Sequence, residues 1–233
     1  MRFRAVLFDA GETLVHPVPS FPEVFVRIVA EAGHRCEPEA VIAASAVVLE
    51  RFSEAAARDE RWTTSPERSR RFWTEIYERM IVDLGLPSRD GLRDRLYRGF
   101  TDLANYGVFD DVVPALDALS TTGTTLGVVS NYEPWLEDLL ASEGVADLLP
   151  VRAISGIEGI EKPDPRLFEL ALARAGVDAS EAVYVGDNPE FDVDPPEALG
   201  MFAVLVDRRD RHPEHPGPRV SDLRDLPALL EVA

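Results

Sequence analysis

The chain has 233 residues, and its content of 45% hydrophobic and 28% charged residues is typical of a globular protein. The formal net charge of −18 disfavours nucleic acids and anionic membranes as partners, because both repel an acidic protein. The single cysteine excludes an intrachain disulfide, and no apolar run is long enough for a membrane span or a secretory leader, so we expect a cytoplasmic protein.

The first predicted element is a strand at residues 5–8 (AVLF), which leads directly into Asp9. Short apolar runs without polar alternation predict strands that are buried on both faces of a parallel sheet. Four later runs share this pattern and lie at residues 124–129, 151–154, 181–185 and 201–206, of which 151–154 is the weakest.

Residues 16–106 show a different pattern, in which apolar residues recur at helical spacing and no strand is predicted. Ser65 followed by Pro66 is typical of a helix start, since serine caps the first turn and proline fits the first helical position. We expect helices near 25–32, at 41–57, from 66 to about 84, and at 89–104.

Strands and helices alternate in the rest of the chain, with helices expected at 134–142, around 168–175, at 195–199 and near 221–230. This alternation predicts an α/β protein with a Rossmann-like, doubly wound parallel sheet. Residues 1–15 and 107–233 would form this core, and the all-helical block 16–106 would be an insertion after the first strand.

Polar residues follow the predicted strands: Asp9, Ser130, Asn131 and Asp187. Because the ligand site of an open parallel sheet lies outside the carboxyl ends of its strands, we expect these side chains to converge. Asp192 adds another carboxylate. Clustered carboxylates repel one another unless a cation compensates them, and an all-oxygen site suits Mg²⁺.

Lys162 is the one lysine in the chain, since every other basic side chain apart from histidine is arginine. It lies in the segment EKPDP, between a predicted strand and a predicted helix. Lysine is a compact point charge, which the planar fork of arginine does not reproduce. We therefore expect Lys162 at the same sheet edge, where it would balance the charge of a nucleophile and a phosphoryl group.

Four segments resemble, in order, the motifs of the haloacid dehalogenase superfamily of hydrolases. They are FDAGETL at 8–14, VVSN at 128–131, EKPDPRLF at 161–168 and VGDNPEFDVDPPEALGM at 185–201. The helical block resembles the helical cap, of the C1 type, that family members have after the first motif. The resemblance thus covers essentially the whole chain.

The resemblance implies a Mg²⁺-dependent hydrolase of small phosphomonoesters, in which Asp9 attacks phosphorus and forms an aspartyl-phosphate. It implies that the metal is bound by Asp9, the backbone carbonyl of Gly11, Asp187 and Asp192. The expected partner is a small phosphorylated metabolite, and the expected state is a monomer or homodimer. The other implied site residues are Thr13 and Ser130 as catalytic supports, Lys162 in catalysis and substrate binding, and Ser130 and the amide of Asn131 as phosphate ligands.

One position departs from the family pattern. Phosphatases of the family have a second aspartate two residues after the nucleophile, which protonates the leaving group, and this chain has Gly11 there. General acid–base catalysis typically contributes ~10²–10⁴-fold to the rate. The metal site should survive this change, because it uses only the backbone carbonyl of that residue.

Three interpretations of Gly11 remain open. The protein is a phosphatase that is slow or limited to leaving groups that need no proton, or Glu12 or His16 supplies the acid, or hydrolysis has been lost or changed. In the last case the protein would bind a phosphorylated ligand or a protein partner. A metal-independent haloacid dehalogenase is less favoured, because Asp187 and Asp192 are retained.

Overall fold

A computed structural model of the protein describes residues 2–58, 60–88 and 91–232. The chain divides into two compact units. The first unit consists of Met1–Val15 and Val108–Ala233, and the second is His16–Gly107. The first unit has an α/β architecture, with a β-sheet and helices, and helices make up most of the second unit.

The first unit is organised around a six-stranded parallel sheet with the order β5-β4-β1-β6-β7-β8, and β2 and β3 form a separate pair. The α/β fold class predicted from the sequence is confirmed. The strands are β1 (Ala5–Phe8), β2 (Val15–Pro17), β3 (Tyr106–Val108), β4 (Thr125–Ser130), β5 (Val151–Ile154), β6 (Ala182–Gly186), β7 (Phe202–Val206) and β8 (Arg219–Val220).

The register of the sheet explains where the polar strand ends meet. β1 lies between β4 and β6, and Phe8 at its end is opposite Val128 on one side and Val185 on the other. The strand order reverses at β1, because the chain first extends the sheet through β4 and β5 and then returns to the other side of β1. Ligand sites of such sheets lie at this reversal, outside the carboxyl ends of the strands.

The second unit contains five α-helices among its described residues. Ser65 caps the longest of them as predicted, because its side chain accepts a hydrogen bond from the backbone N–H of Arg68 at 3.3 Å. The helices are α1 (Phe21–Glu31), α2 (Pro38–Ala44), α3 (Ala46–Ala57), α4 (Pro66–Asp83) and α5 (Leu92–Gly99).

Three predictions for this unit differ from the structure. The helix expected at 41–57 is two helices, because Ser45 turns the chain and its hydroxyl bonds to the carbonyl of Ile42 at 2.7 Å. The helix expected at 89–104 begins at Leu92 and ends at Gly99, while residues 89 and 90 lie outside the described residues. The expectation of no strand in 16–106 was wrong, since β2 and β3 reach into it and are too short to produce a periodic pattern.

Among the described residues of the first unit, five α-helices lie between strands, a sixth, α11, follows β8, and α9 packs on β4 and β5. The strand β8 was not predicted, because it follows a polar, proline-rich loop. No described helix is both long enough and apolar enough to span a lipid bilayer. The helices are α6 (Val112–Ser120), α7 (Leu136–Ser142), α8 (Ser155–Glu158), α9 (Pro165–Ala175), α10 (Asp194–Ala198) and α11 (Leu226–Val232).

Candidate active site

Asp9 stands directly after β1 and is 7% exposed. Its backbone N–H donates to the carbonyl of Val185 at 2.8 Å, which continues the pairing with β6 by one residue. Its Oδ1 accepts hydrogen bonds from Ser130 Oγ at 2.9 Å and from Lys162 Nζ at 2.6 Å. The predicted convergence of Asp9, Ser130 and Lys162 is therefore present in the structure.

Asn131 fixes the backbone of Lys162. Its side-chain amide donates to the carbonyl of Lys162 at 2.8 Å, and its carbonyl oxygen accepts from the N–H of Lys162 at 2.6 Å. Both hydrogen-bonding groups of this side chain thus hold the lysine segment beside the end of β4. The role of the Asn131 amide in phosphate binding stays a prediction.

Lys162 is buried with 2% exposure and lies between two carboxylates. Its Nζ is 2.6 Å from Asp9 Oδ1 and 2.6 Å from Asp192 Oδ1, and it also donates to the hydroxyl of Tyr184 at 3.0 Å. Burial opposes the charged ammonium, but the charges of Asp192 and Asp9 hold the pKa of Lys162 well above its usual value. The two carboxylates therefore favour the charged form of the lysine in this site.

Tyr184 belongs to the site although the sequence analysis did not identify it. Its hydroxyl is 2.6 Å from the carbonyl of Val129 and 3.4 Å from Asp192 Oδ1. Burial raises the pKa of Tyr184 well above its usual value, so it stays neutral. A tyrosine inside an apolar strand is indistinguishable by pattern from a core residue, and no signal in the sequence marks it.

Asp9, Asp187 and Asp192 form an acidic cluster in which one oxygen of each lies within 4.8 Å of the others. Burial and the charges of Asp192, Asp9 and Glu12 raise the pKa of Asp187 well above its usual value. Burial also raises the pKa of Asp192 to about 6, and Lys162 only partly offsets this effect. Carboxylates crowded in this way need further positive charge, and oxygen ligands at this spacing suit a hard divalent cation.

Asp192 reaches the cluster from a turn with π-helical hydrogen bonding at Pro189–Val193, a geometry that is frequent at functional sites. Its Oδ2 accepts from the backbone N–H of Asn188 at 3.0 Å. Gly186 makes this approach possible, since a Cβ there would lie 2.4 Å from Asp192 Cγ. The next helix, α10, has its prolines in the first turn, where they fit without loss of a helical hydrogen bond.

The loop Asp9–Leu14 contains the unusual glycine. A Cβ built on Gly11 would make only an ordinary contact, at 3.8 Å from Tyr132 Cε2. Glu12 has φ 55°, in the left-handed region, and its carboxylate accepts from Arg209 at 2.8 Å. Thr13 is fully buried, and its Oγ1 has no hydrogen-bond partner among the described residues.

These contacts bear on the proposed substitutes for the missing acid. Glu12 is engaged with an arginine, since Nη2 of Arg209 lies 2.8 Å from Oε2 of its carboxylate. His16 lies in β2, and its role as an acid stays a prediction. Thr13 lies four residues after the nucleophile and has a buried hydroxyl, and its catalytic role also stays a prediction.

A model of the haloacid dehalogenase-like hydrolase family matches residues 3–200, which is most of the chain. The chain belongs to this family. A zebrafish (Danio rerio) protein named haloacid dehalogenase-like hydrolase domain-containing protein 3 is 30% identical in an alignment of 235 positions. The alignment covers 98% of this chain and 96% of the relative.

Two further relatives of this hydrolase have different named activities. A phosphoserine phosphatase of Thermus thermophilus is 38% identical over 61% of this chain and 58% of its own length. An (S)-2-haloacid dehalogenase of a Pseudomonas species is 32% identical over 72% of this chain and 77% of its own length. Membership of the family therefore includes two chemistries, and it does not by itself select one.

A solved structure supports the fold. A Bacillus subtilis hydrolase of the same family, solved with bound magnesium, has a TM-score of 0.79 at 15% identity, with 99% of each chain covered. At this level of identity the likeness shows the fold alone.

Proposed function

We propose that this hydrolase cleaves small phosphomonoesters with a divalent metal, and that Asp9 is its nucleophile. The observation that supports this most is the buried Lys162, which contacts Asp9 and Asp192 at 2.6 Å each within a cluster of three carboxylates. Three clustered carboxylates suit a divalent cation that offsets the charge of a phosphoryl group, whereas displacement at carbon by one carboxylate needs no metal.

The residues of the cluster fit Mg²⁺. Asp9, Asp187 and Asp192 would hold the ion together with the backbone carbonyl of Gly11, and burial together with neighbouring carboxylates raises the pKa values of Asp187 and Asp192. When bound, the ion supplies electrostatic stabilisation to the phosphoryl oxygens and offsets their repulsion from Asp9.

In the proposed reaction, Asp9 attacks phosphorus, the phosphorus–oxygen ester bond breaks, and its electron pair leaves with the alcohol oxygen. Ser130 and Lys162 both donate to Oδ1 of Asp9, so we assign the attack to its other oxygen, Oδ2. Water then hydrolyses the aspartyl-phosphate and releases inorganic phosphate. Lys162 stabilises the charge throughout, since burial and its fixed position avoid reorganisation during the reaction.

The leaving group is the weak point of this chemistry. Gly11 offers no carboxyl, and the carboxylate of Glu12 is engaged with Arg209. We therefore propose that the preferred substrates are esters whose alcohol leaves as a stable anion. The helical unit corresponds in sequence position to the family's cap, and we propose that it selects the substrate.

The test is hydrolysis of p-nitrophenyl phosphate with Mg²⁺ or with EDTA. We expect turnover that needs the metal and disappears in Asp9→Asn. The matched control is Asp117→Asn, which removes an exposed carboxylate of α6 in the same unit and should leave turnover unchanged. The same samples are assayed for chloride release from 2-chloropropionate.

The outcomes separate three functions. Phosphate release that requires both Mg²⁺ and Asp9 supports the phosphatase. Chloride release that persists in EDTA, without phosphate release, would assign the chain to the chemistry of its dehalogenase relative. No turnover of either substrate, with Mg²⁺ binding intact by calorimetry, would indicate a non-catalytic protein that binds a phosphorylated ligand or a protein partner.

A further inference from the structure

Arg208 connects the nucleophile loop to a separate part of the same unit. Its guanidinium donates to both oxygens of Asp111, at 2.7 and 3.0 Å, and its Nη2 also donates to the carbonyl oxygen of Thr13 at 2.7 Å. The side chains of Arg208 and Asp111 are only 15% and 3% exposed. A buried, bidentate arginine pair of this kind is both strong and geometrically specific.

Other contacts fix this arginine from several sides. Asp111 Oδ2 also accepts from the backbone N–H of Leu223 at 2.7 Å. The guanidinium lies over the ring of Phe109, with Cζ 3.9 Å from the centroid, and the N–H of Phe109 donates to the carbonyl of Leu14 at 3.1 Å. Arg208 and Phe109 therefore hold two consecutive carbonyls of the nucleophile loop.

The turn that contains Arg208 is held in place by hydrogen bonds of its own. Asp207 is 4% exposed and accepts from the backbone N–H groups of Arg211 and His212 at 2.8 Å each. These bonds fix the backbone on the far side of Arg208. Two neighbouring arginines of this turn contact residues that follow β1 and β6. Arg209 pairs with Glu12 at 2.8 Å, and Arg211 lies 3.5 Å from Asp187.

The loop has a reason to need such support. Glu12 adopts a left-handed backbone, which strains a non-glycine residue and persists only where its surroundings impose it. The internal bonds of the loop converge on Ala10, whose carbonyl accepts from Leu14 and Val15 at 2.8 and 2.9 Å. These internal bonds do not use the carbonyl oxygen of Thr13, which accepts from Arg208 instead.

We propose that Arg208, held by Asp111, is a positioning residue that fixes the peptide of Thr13 and thereby the orientation of Asp9. This proposal rests on the proposed function for its kinetic consequence, but its structural consequence can be measured without turnover. Arg208 contacts neither the acidic cluster nor Lys162 in the described contacts, so it acts through the loop.

The kinetic test compares Arg208→Ala with Arg174→Ala. Arg174 is a matched control, because it also bonds both oxygens of one carboxylate, that of Glu158, and a backbone carbonyl, that of Arg152, away from the site. We expect kcat for p-nitrophenyl phosphate to fall ~10²-fold in Arg208→Ala with KM unchanged, as for a misplaced nucleophile. Arg174→Ala should keep the wild-type kcat.

Two further arms distinguish positioning from general stability. Added guanidinium ion should restore part of kcat in Arg208→Ala, and Arg208→Lys should be intermediate, because one ammonium cannot reproduce the fork. If Arg208→Ala does not fold, the double variant Arg208→Met with Asp111→Asn removes both charges and keeps an acceptor for the N–H of Leu223.

Hydrogen exchange gives the readout that does not depend on activity. The amides of residues 12–15 should lose protection in Arg208→Ala, while those of β1 and the whole of Arg174→Ala keep it. If the wild-type protein shows no turnover but Arg208→Ala still loses protection at residues 12–15, the positioning role is supported and the proposed function is overturned. Unchanged protection at residues 12–15, or a fall in kcat equal to that of Arg174→Ala, would overturn the positioning role.

Discussion

Gly11→Asp should convert this hydrolase into a faster catalyst for esters with poor leaving groups. The substitution places a carboxyl two residues after Asp9, where family phosphatases have their general acid. It changes no group that contacts the acidic cluster. The prediction therefore isolates proton transfer from metal binding and from nucleophilic attack.

The structure indicates that the new side chain fits. The φ angle of Gly11 is outside the left-handed region, and an added Cβ would meet only Tyr132 Cε2, at the ordinary contact distance of 3.8 Å. We therefore expect the free energy of unfolding to change by no more than ~0.5 kcal/mol. The catalytic gain should approach that of a general acid, ~10²-fold or more in kcat/KM, which corresponds to about 2.7 kcal/mol of transition-state stabilisation.

The assay measures phosphate release from two esters with Mg²⁺ present. β-Glycerophosphate releases an alkoxide that needs a proton, and p-nitrophenyl phosphate releases a stable phenolate. Gly11→Asp should raise kcat/KM for the first and change the second little. Gly11→Asn is the matched control, because it has nearly the same volume and cannot donate a carboxyl proton.

Two results would refute this reasoning. An equal gain in Gly11→Asn would show that the side chain acts by packing and not by proton transfer. No gain in a folded Gly11→Asp that binds Mg²⁺ would show that proton supply does not limit the reaction. In the second case Glu12→Gln decides whether Glu12 already supplies the proton, since it should then lower kcat for the alkyl ester.

Two further predictions concern the buried charges. Lys162→Met removes the cation shared by Asp9 and Asp192. Urea denaturation in EDTA should therefore show that the free energy of unfolding falls by about 3–5 kcal/mol. A loss as small as that of Arg174→Met would contradict this prediction. The raised pKa of Asp192, about 6, means that the folded protein binds this proton more tightly than the unfolded chain does. Its contribution to stability is therefore present below the usual pKa of ~4 and is lost as the pH rises through 6, at up to ~1.4 kcal/mol per pH unit. Denaturation in EDTA across pH 4–7 should show this fall, Asp192→Asn should reduce it, and a rise in stability that is unaffected by Asp192→Asn would contradict it.

The sequence was sufficient to predict the parts of the site that depend on strand ends. Asp9 and Ser130 each follow or end a buried apolar run, and parallel pairing in register brings such residues to one edge. Lys162 was predicted there because its segment lies between a strand and a helix and because it is the one lysine in the chain, and in the structure it contacts Asp9.

The residues that were missed have no local pattern. Tyr184 is one of five buried residues of β6. Its hydroxyl meets Lys162 only through the three-dimensional packing of the sheet, which a sequence pattern does not show. Arg208 contacts Thr13 across 195 residues of sequence and Asp111 across 97. A polar loop with several arginines predicts a solvated surface, and nothing in the sequence distinguishes Arg208, whose side chain is only 15% exposed, from its neighbours.

The balance of charge in the acidic cluster favours a divalent cation over a monovalent one. Its three carboxylates face one buried ammonium group, that of Lys162, which leaves two negative charges when all are ionised. Arg211 compensates weakly, because its Nη2 is 3.5 Å from Asp187 and its side chain is 39% exposed. A doubly charged ion would neutralise the cluster, whereas a potassium or sodium ion would leave a net negative charge facing an anionic phosphate ester. The stability of the protein at neutral pH should accordingly rise with Mg²⁺ and much less with Na⁺ at equal ionic strength. The same rise with Na⁺ would mean that the ions only screen the cluster, and it would remove the electrostatic argument for a metal-dependent phosphatase.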